Sequence, residues 1–498
     1  MTREESEVGE SFDNTLEITL DTVKKRAIKG VVILTGRTFL LQLLALVATG
    51  FLTYLLAPSD FGVFWIVSAV VNFLAYFSDV GLAAALIQSK SKVTDDDLRT
   101  TFTVQQVIVV TLLVILYFAT PWLKDYYSLS PSGVYLFYAL GASLLMSSLK
   151  TIPSVLLERE LDFSKLVIPQ VLENVVYNVV AVYLAWQGFG VMAFAYAVLI
   201  RGVVGIVSMY YLKPWIPGIA FSKESLRKLL KFGVPYQVNT LLATVKDDGL
   251  TAYLGGILGA SGLGYLGWAQ KWAKTPLRLF MDNVLKVMFP AFARMQDDKE
   301  QLERSVTRSI FFVCFLTFPT LVGFLLLAPM MIDIIPRYEK WIPALIPLYI
   351  IGIDTMFAAS TTQLTNLLNA IGKIKTTFKL MVMWTTLAWL IIPFLSIRYG
   401  YVGAAVGYAL VSSSSIVAII IVRRHVAFSL VEGIFKPLLG TILMGTVIFF
   451  LRGLFPSSLI SVGVLGLIGA ITYFAVSYRL VGVSLLEDVK KARHNLKR

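Results

Sequence analysis

Cysteine and histidine are almost missing from this sequence. The 498 residues include one cysteine, Cys314, and two histidines, His425 and His494. A single cysteine forms no intrachain disulfide and excludes a metal cluster held by cysteines. Both histidines lie in polar segments, so we expect no histidine-based metal site. The sequence therefore points away from disulfide-stabilised domains and from metal centres.

Charged residues are also scarce, at 15% of the chain, whereas hydrophobic residues make up 57% and mean hydropathy is +0.74. Soluble domains carry about 25% charged residues, so this composition predicts an all-α polytopic membrane protein. The net charge of +13 follows from basic cytoplasmic loops, and we expect no nucleic acid partner. The first residues are polar and rich in acids, so we expect the first apolar span to act as an uncleaved anchor.

Apolar runs recur along the whole chain. A helix needs about 20 such residues to cross the hydrocarbon core of a bilayer. The runs predict about fourteen spans, at residues 30–56, 62–88, 103–123, 133–157, 166–187, 189–211, 232–257, 262–290, 305–327, 344–371, 377–398, 401–422, 437–451 and 458–480. Several connections are only a few residues long, which predicts tight helical hairpins.

Lysine and arginine cluster in alternate connections between these spans. Examples are "KKRAIK" at 24–29 and the terminal "KKARHNLKR" at 490–498. Short basic loops stay on the cytoplasmic side of a membrane. We therefore expect a multi-pass protein of the cytoplasmic membrane with both termini in the cytoplasm.

Two echoes predict an internal repeat. "LAPSDFGVFW" at 56–65 resembles "LGASGLGYLGW" at 258–268, and "GFGVMAFAYAVL" at 188–199 resembles "GYVGAAVGYALV" at 400–411. An even number of spans separates the members of each pair, so the halves would share one orientation, as in a parallel repeat. The predicted organisation is a cytoplasmic tail (1–29), a six-helix N-lobe (30–211), a cytoplasmic linker (212–231), a six-helix C-lobe (232–424), two additional helices (425–480) and a basic tail (481–498).

A row of charges lies inside the eighth predicted span, at Lys271, Lys274, Arg278, Asp282 and Lys286. On a helix these side chains fall within an arc of about 120°. Such a face cannot contact lipid, because a central Lys or Arg costs about 2.5–3.5 kcal/mol there. It requires a wet cavity or charged partners. The surplus of cations favours a cavity that accepts an anion, and arginine is well suited to phosphate oxygens.

Other charges inside predicted spans are Arg37, Asp79, Glu173, Arg201, Lys246, Asp247, Asp248 and Asp354. One interpretation is internal pairing, of Arg37 with Asp79 and of Lys271 with Asp247 or Asp248. The other interpretation is a transport path, because intramembrane carboxylates are candidates for proton relays. The coupling-ion candidates are then Asp79, Glu173, Asp247, Asp248 and Asp354.

Three stretches carry a resemblance to a known family. "YLLAPSDFGVFWIVSAVVNFLAYFSDVGLAAALIQ" (54–88) and "LGYLGWAQKWAKTPLRLF" (263–280) resemble polysaccharide and O-antigen flippases of the Wzx type, in the superfamily of the MATE exporters and lipid II flippases. "SVLLERELDFSKL" (154–166) is similar to the colanic-acid-export branch. The resemblance implies two six-helix lobes around a central cavity, with two additional carboxyl-terminal helices.

The resemblance also implies a function. The substrate would be a polyprenyl-diphosphate-linked oligosaccharide, moved from the inner to the outer leaflet by alternating access. Basic residues in the first and eighth helices would guide its head group. By position these are Arg37, Lys271, Lys274 and Arg278, to which we add Arg201 in the sixth span.

The expected partners are the lipid-linked oligosaccharide, membrane lipids and other polysaccharide-assembly proteins, and the chain is expected to be monomeric. We expect no cofactor beyond a coupling ion, H⁺ or Na⁺. Two alternatives stay open. A multidrug or metabolite antiporter of the same fold would often carry organic cations, which the cationic row would repel. A membrane enzyme of polysaccharide assembly would be expected to have a large external loop or clustered catalytic acids.

Overall fold

The structure is a computed structural model that describes residues 20–89 and 92–482. Most of the predicted amino-terminal tail and the basic carboxyl-terminal tail lie outside the described residues. Across the described ranges the regular structure is helical, without strands, which confirms the all-α class. The helices are α1 (Leu20–Leu55), α2 (Pro58–Ala75), α3 (Leu82–Gln88), α4 (Asp95–Tyr126), α5 (Pro131–Leu149), α6 (Thr151–Arg159), α7 (Phe163–Trp186), α8 (Met192–Leu212), α9 (Lys223–Thr244), α10 (Leu250–Arg294), α11 (Lys299–Ile334), α12 (Leu345–Ala370), α13 (Ile374–Ser413), α14 (Ile416–Arg423), α15 (Lys436–Arg452) and α16 (Leu459–Val481).

Eleven helical segments of the described chain are long and apolar enough to cross a membrane, so the protein is a multi-pass membrane protein. The predicted count of fourteen is not confirmed. The predicted seventh and eighth spans lie in α9 and α10, which are not among the eleven. The predicted eleventh and twelfth spans belong to one helical segment, Ile374–Arg423.

The described chain divides between Ala260 and Ser261 into two compact units. The division follows Gly259, whose φ of 64° interrupts α10. Glycine tolerates this left-handed backbone because it has no Cβ. The predicted lobe boundaries stay a prediction.

Breaks in the helices also occur within the sequence echoes. Gly188 and Gly400 begin the second pair of echoes, and their φ angles are 84° and 59°. In the first pair, Gly259 occupies the position that matches Ala57, which lies between α1 and α2. The local breaks thus have the same spacing as the echoes, while the repeat itself stays a prediction.

The second predicted span, 62–88, is wrong as a single helix. The structure has α2 and α3 instead, separated at Val80 and Gly81, whose φ angles are 49° and 74°. The carboxylate of Asp79 accepts hydrogen bonds from the backbone N–H of Ala83, at 3.1 and 3.2 Å. A carboxylate at this position satisfies a free donor and the positive end of the helix dipole. A polar cap therefore starts α3 inside an apolar run.

Each unit has its own apolar core. In the first unit, buried side chains of α3, α4, α6 and α9 pack together, among them Leu82, Leu98, Ile152 and Leu229. In the second unit a large core joins α10, α11, α12, α13 and α14, and a smaller one joins α11, α15 and α16. The hydroxyl of Tyr473 in α16 donates a 2.9 Å hydrogen bond to the carbonyl oxygen of Phe315 in α11. The two carboxyl-terminal helices therefore pack against α11 within the second unit.

Charged clusters inside the helices

Glu173 on α7 is the centre of a charged cluster in the first unit. Only 5% of it is exposed. The Lys150 ammonium donates a hydrogen bond to one carboxylate oxygen, and Arg201 Nε lies 3.6 Å from the other. The Arg201 guanidinium also lies over the ring of Tyr177, at 5.8 Å from its centroid. Two cations from different helices thus share one buried carboxylate.

The local fold explains how these side chains meet. Lys150 is the residue at which α5 ends and α6 begins, so the predicted fourth span is two helices. Gly205 on α8 leaves room for the pair. A Cβ at Gly205 would come within 2.3 Å of Glu173 Oε1 and 2.9 Å of Lys150 Nζ. The absent side chain lets the carboxylate lie directly against the backbone of α8.

Arg37 of α1 contacts the same helix, α7, one turn before Glu173. Its Nη1 donates a hydrogen bond to Oε1 of Gln170, while its Nε is buried without a hydrogen-bond partner among the described residues. The predicted pairing of Arg37 with Asp79 is wrong, because Asp79 caps α3. Around Gln170 and Glu173 the first unit therefore gathers three cations and one carboxylate.

The acidic pair Asp247 and Asp248 lies in a π-helical segment, residues 245–249. Lys246 Nζ lies 3.5 Å from Asp247 Oδ1, and the side chain of Asn72 in α2 is adjacent to Asp248. Single π-helical turns recur at functional sites. The pairing of Lys271 with either acid stays a prediction.

Lys274 on α10 forms the charged cluster of the second unit. Its Nζ lies 3.3 Å from Oδ2 of Asp354 on α12, and 5.5 Å from the ring centroid of Tyr408 on α13. Asp354 is 8% exposed. The Lys274 ammonium therefore lies between a carboxylate and an aromatic face, both of which stabilise its charge.

The remaining cations of the row on α10 are more open. The side chains of Lys271 and Arg278 are exposed and form no ion pair or hydrogen bond with other described side chains of the second unit, whereas Asp282 is half-buried. The side chain of Lys286 lies outside what the structure describes. Lys271 and Arg278 therefore carry charge without an ion-pair partner among the described side chains of the second unit, and the anion-accepting cavity stays a prediction.

Sequence reasoning missed several residues of these clusters, among them Lys150, Gln170, Tyr177 and Tyr408. Lys150 carried a usable signal, because it is a charge inside the predicted span 133–157. Tyr408 belongs to the Tyr-Ala pair that the second echo shares with Tyr196. Gln170 had no signal, since a neutral amide inside a span indicates no particular partner.

The fold and its clusters define a helical, multi-pass membrane protein with ion pairs inside its membrane-length helices. The chain belongs to the family described as "Polysaccharide biosynthesis protein", whose model matches residues 51–346.

Two curated relatives illustrate this membership. The chain is 24% identical to the succinoglycan biosynthesis transport protein ExoT of Rhizobium meliloti, over 61% of this chain and 59% of that protein. It is also 24% identical to the lipopolysaccharide biosynthesis protein WzxC of Escherichia coli, over 74% of this chain and 75% of that protein. The match thus spans less than two thirds of ExoT and three quarters of WzxC.

Solved structures support the fold. The lipid II flippase MurJ, in an inward closed conformation, matches with a TM-score of 0.74 and 15% identity, over 90% of this chain and 98% of that one. An inward-facing multidrug resistance MATE family transporter of the MOP superfamily matches with a TM-score of 0.57 and 17% identity, over 77% and 95%. The resemblance to the flippase and MATE superfamily is therefore confirmed at the level of fold.

Proposed function

We propose that the protein is a flippase that moves a polyprenyl-diphosphate-linked oligosaccharide from the inner to the outer leaflet of the cytoplasmic membrane by alternating access. Both termini lie in the cytoplasm in this proposal. The names of its relatives, which include a transport protein and a flippase, support a transporter rather than an enzyme.

The observation that carries the proposal is the surplus of cations in the charged clusters. In the first unit Arg37, Lys150 and Arg201 accompany one carboxylate, that of Glu173. In the second, Lys271 and Arg278 have no ion-pair partner among the described residues. Transfer of a diphosphate into hydrocarbon without compensating charge would cost on the order of tens of kcal/mol. Unpaired cations along membrane helices supply such compensation.

Exchange of a carboxylate for the diphosphate at each cation would make substrate binding reversible. Lys274 and Arg201 each lie against a carboxylate, those of Asp354 and Glu173. The diphosphate replaces that carboxylate as it arrives, and the carboxylate takes the cation back when the substrate leaves. Each cation thus exchanges one anion for another and avoids the large penalty of an unpaired buried charge.

The same exchange suggests how an ion couples to transport. Protonation of Glu173 or Asp354 removes the negative charge that holds Lys150, Arg201 or Lys274. The freed cations then favour the diphosphate. Asp79, Asp247 and Asp248 stay further candidates, and either H⁺ or Na⁺ fits a carboxylate relay.

The test is flipping of a fluorescent polyprenyl-diphosphate oligosaccharide in proteoliposomes. We compare the natural chain with the triple variant Lys271→Gln, Lys274→Gln, Arg278→Gln. A matched control, Lys373→Gln, Lys375→Gln, Lys379→Gln, removes the same charge from exposed positions at the start of α13 and before it. We expect flipping to be lost in the first variant and kept in the second.

Other outcomes decide against parts of the proposal. Loss in both triple variants would mean that net charge, rather than the row on α10, controls transport. If the natural chain leaves every diphosphate-linked lipid in place but exports organic solutes, it is an antiporter of the same fold. Cleavage or extension of the sugar chain would instead make it an enzyme of polysaccharide assembly.

A further inference from the structure

The connection between α8 and α9 carries large apolar side chains that no described residue covers. Ile216 is 84% exposed, Ile219 is 89% exposed and Phe221 is 66% exposed. The connection starts directly after Leu212, the last residue of a helix long enough to cross a membrane. A cluster of exposed apolar side chains of this kind marks a contact surface.

This connection is anchored to the first unit. Trp215, 4% exposed, packs its ring against Phe102 of α4, with 5.3 Å between ring centroids. The guanidinium of Arg99 lies against Gly218, where a Cβ would come within 2.5 Å of Nη1. Lys213 Nζ lies 2.5 Å from Glu160 Oε1. The apolar side chains are therefore displayed from a fixed backbone.

At several positions of the connection the backbone N–H is either hydrogen-bonded or absent. Ala220 donates its N–H to the hydroxyl of Thr103 at 3.2 Å, and Ser222 donates to the hydroxyl of Thr100 at 3.0 Å. Pro214 and Pro217 have no N–H at all. Each such position lowers the penalty for contact with a medium poor in water.

A basic helix face follows immediately. Lys223, Arg227 and Lys231 are exposed on the first turns of α9 and recur every four residues, which places them on one side of the helix. The opposite side buries Leu229 in the apolar core. None of the three cations forms an ion pair with another described residue. Apolar and basic side chains are thus adjacent in the chain, and neither group has an ion-pair or packing partner in the part of the chain that the structure describes.

We propose that residues 213–231 dock on the bilayer surface at the end of α8. Ile216, Ile219 and Phe221 insert among the lipid headgroups, and the basic face of α9 binds the phosphates of anionic phospholipids. Amphipathic segments with basic and large apolar residues bind membranes in this way.

Distance favours lipid over a protein partner. Ile216 is four residues after Leu212, and four extended residues span only about 14 Å. The side chain therefore stays close to the level at which α8 leaves the bilayer. The surface is independent of the charged clusters inside the helices, so that its test does not depend on the proposed substrate.

The test relies on the burial of the single natural cysteine, which leaves an introduced cysteine as the accessible thiol. Cys314 is completely buried, so thiol labelling of an Ile219→Cys variant places one environment-sensitive fluorophore on the connection. The natural chain, labelled in parallel, serves as the blank. Asp297→Cys, an exposed polar position between α10 and α11, is the matched control. Each protein is reconstituted in vesicles with brominated phosphatidylcholine or brominated phosphatidylglycerol, whose bromines quench a nearby fluorophore.

We expect blue-shifted emission at position 219, quenched more by the anionic lipid, and neither effect at position 297. Quenching by the two lipids should become equal, and the blue shift should remain, when the Ile219→Cys variant also carries Lys223→Gln, Arg227→Gln and Lys231→Gln. Arg227→Gln alone serves if the triple variant is unstable, with a smaller loss of preference. Emission at 219 that matches position 297 overturns the proposal and leaves a protein partner as the occupant. Equal quenching by both lipids before any charge is removed overturns the anionic preference.

Discussion

Gly205 of α8 lies directly against the carboxylate of Glu173 on α7, and a Cβ at that glycine would come within 2.3 Å of Oε1. The same Cβ would come within 2.9 Å of Lys150 Nζ. The ion pair therefore depends on a residue that carries no charge and makes no hydrogen bond with it.

We predict that Gly205→Ala destabilises the protein by about 1–3 kcal/mol, the usual cost of overpacking. The added methyl must displace either Glu173 or Lys150. Thermal unfolding in detergent is the measurement, and Gly50→Ala in α1 is the control, because nothing lies within 4 Å of its Cβ position. Alanine gains about 1 kcal/mol over glycine in an open helix, so the control should be neutral or more stable. Equal changes in stability at both positions would show that the Glu173 carboxylate moves aside without cost.

We predict that Lys150 and Glu173 are strongly coupled in a double-mutant cycle. Their side chains are only 17% and 7% exposed, whereas those of the Arg304–Glu300 pair on α11 are 73% and 74% exposed. Exposed helix pairs contribute about 0.3–0.5 kcal/mol, and residues in direct contact couple by about 0.5–3 kcal/mol. The cycle uses glutamine at all four positions and unfolding free energies in detergent. A coupling energy at Lys150–Glu173 no larger than at Arg304–Glu300 would contradict this.

We predict that Asp354→Asn strengthens binding of a polyprenyl diphosphate by roughly tenfold, or about 1.4 kcal/mol. The substitution removes the anion that lies 3.3 Å from Lys274 Nζ, so the ammonium is left for the ligand phosphates. Binding is measured by titration of the purified protein. Asp333→Asn, which neutralises an exposed carboxylate on α11, should have no effect. Weaker binding by Asp354→Asn would mean that the carboxylate orients Lys274 rather than competing for it.

We predict that Gly81→Ala destabilises the protein by more than the strain of placing alanine in a left-handed backbone. A Cβ at Gly81 would come within 2.3 Å of the carbonyl oxygen of Gly233 on α9. Gly372 has a similar φ, 76° against 74°, with nothing within 4 Å of its Cβ position. Gly372→Ala should therefore cost only the left-handed strain, about 1–2 kcal/mol. Gly81→Ala should cost about 1–3 kcal/mol more than this, because of the steric clash. Equal unfolding temperatures of the two variants would refute the close approach of Gly81 to Gly233.

Apolar runs were enough to predict the helical, multi-pass architecture, because a chain in hydrocarbon must satisfy its backbone hydrogen bonds internally. Hydropathy also delimited some helices to within a few residues, among them α7 and α8. It failed at the break between α2 and α3, where the Asp79 cap and the left-handed Val80 and Gly81 interrupt an apolar run. Hydropathy averages over a window and does not register a single capping carboxylate.

The charges themselves were visible in the sequence, because intramembrane Lys, Arg, Asp and Glu are costly and rare. Their partners were decided only by the tertiary structure. Arg37 contacts Gln170 rather than Asp79, and Lys274 contacts Asp354, a residue 80 positions away. Pairing depends on which helices pack together and on which faces meet, and residue spacing within one helix carries no information about its neighbour. The sequence alone therefore determined which charges need a partner, and helix packing determined which partner each one has.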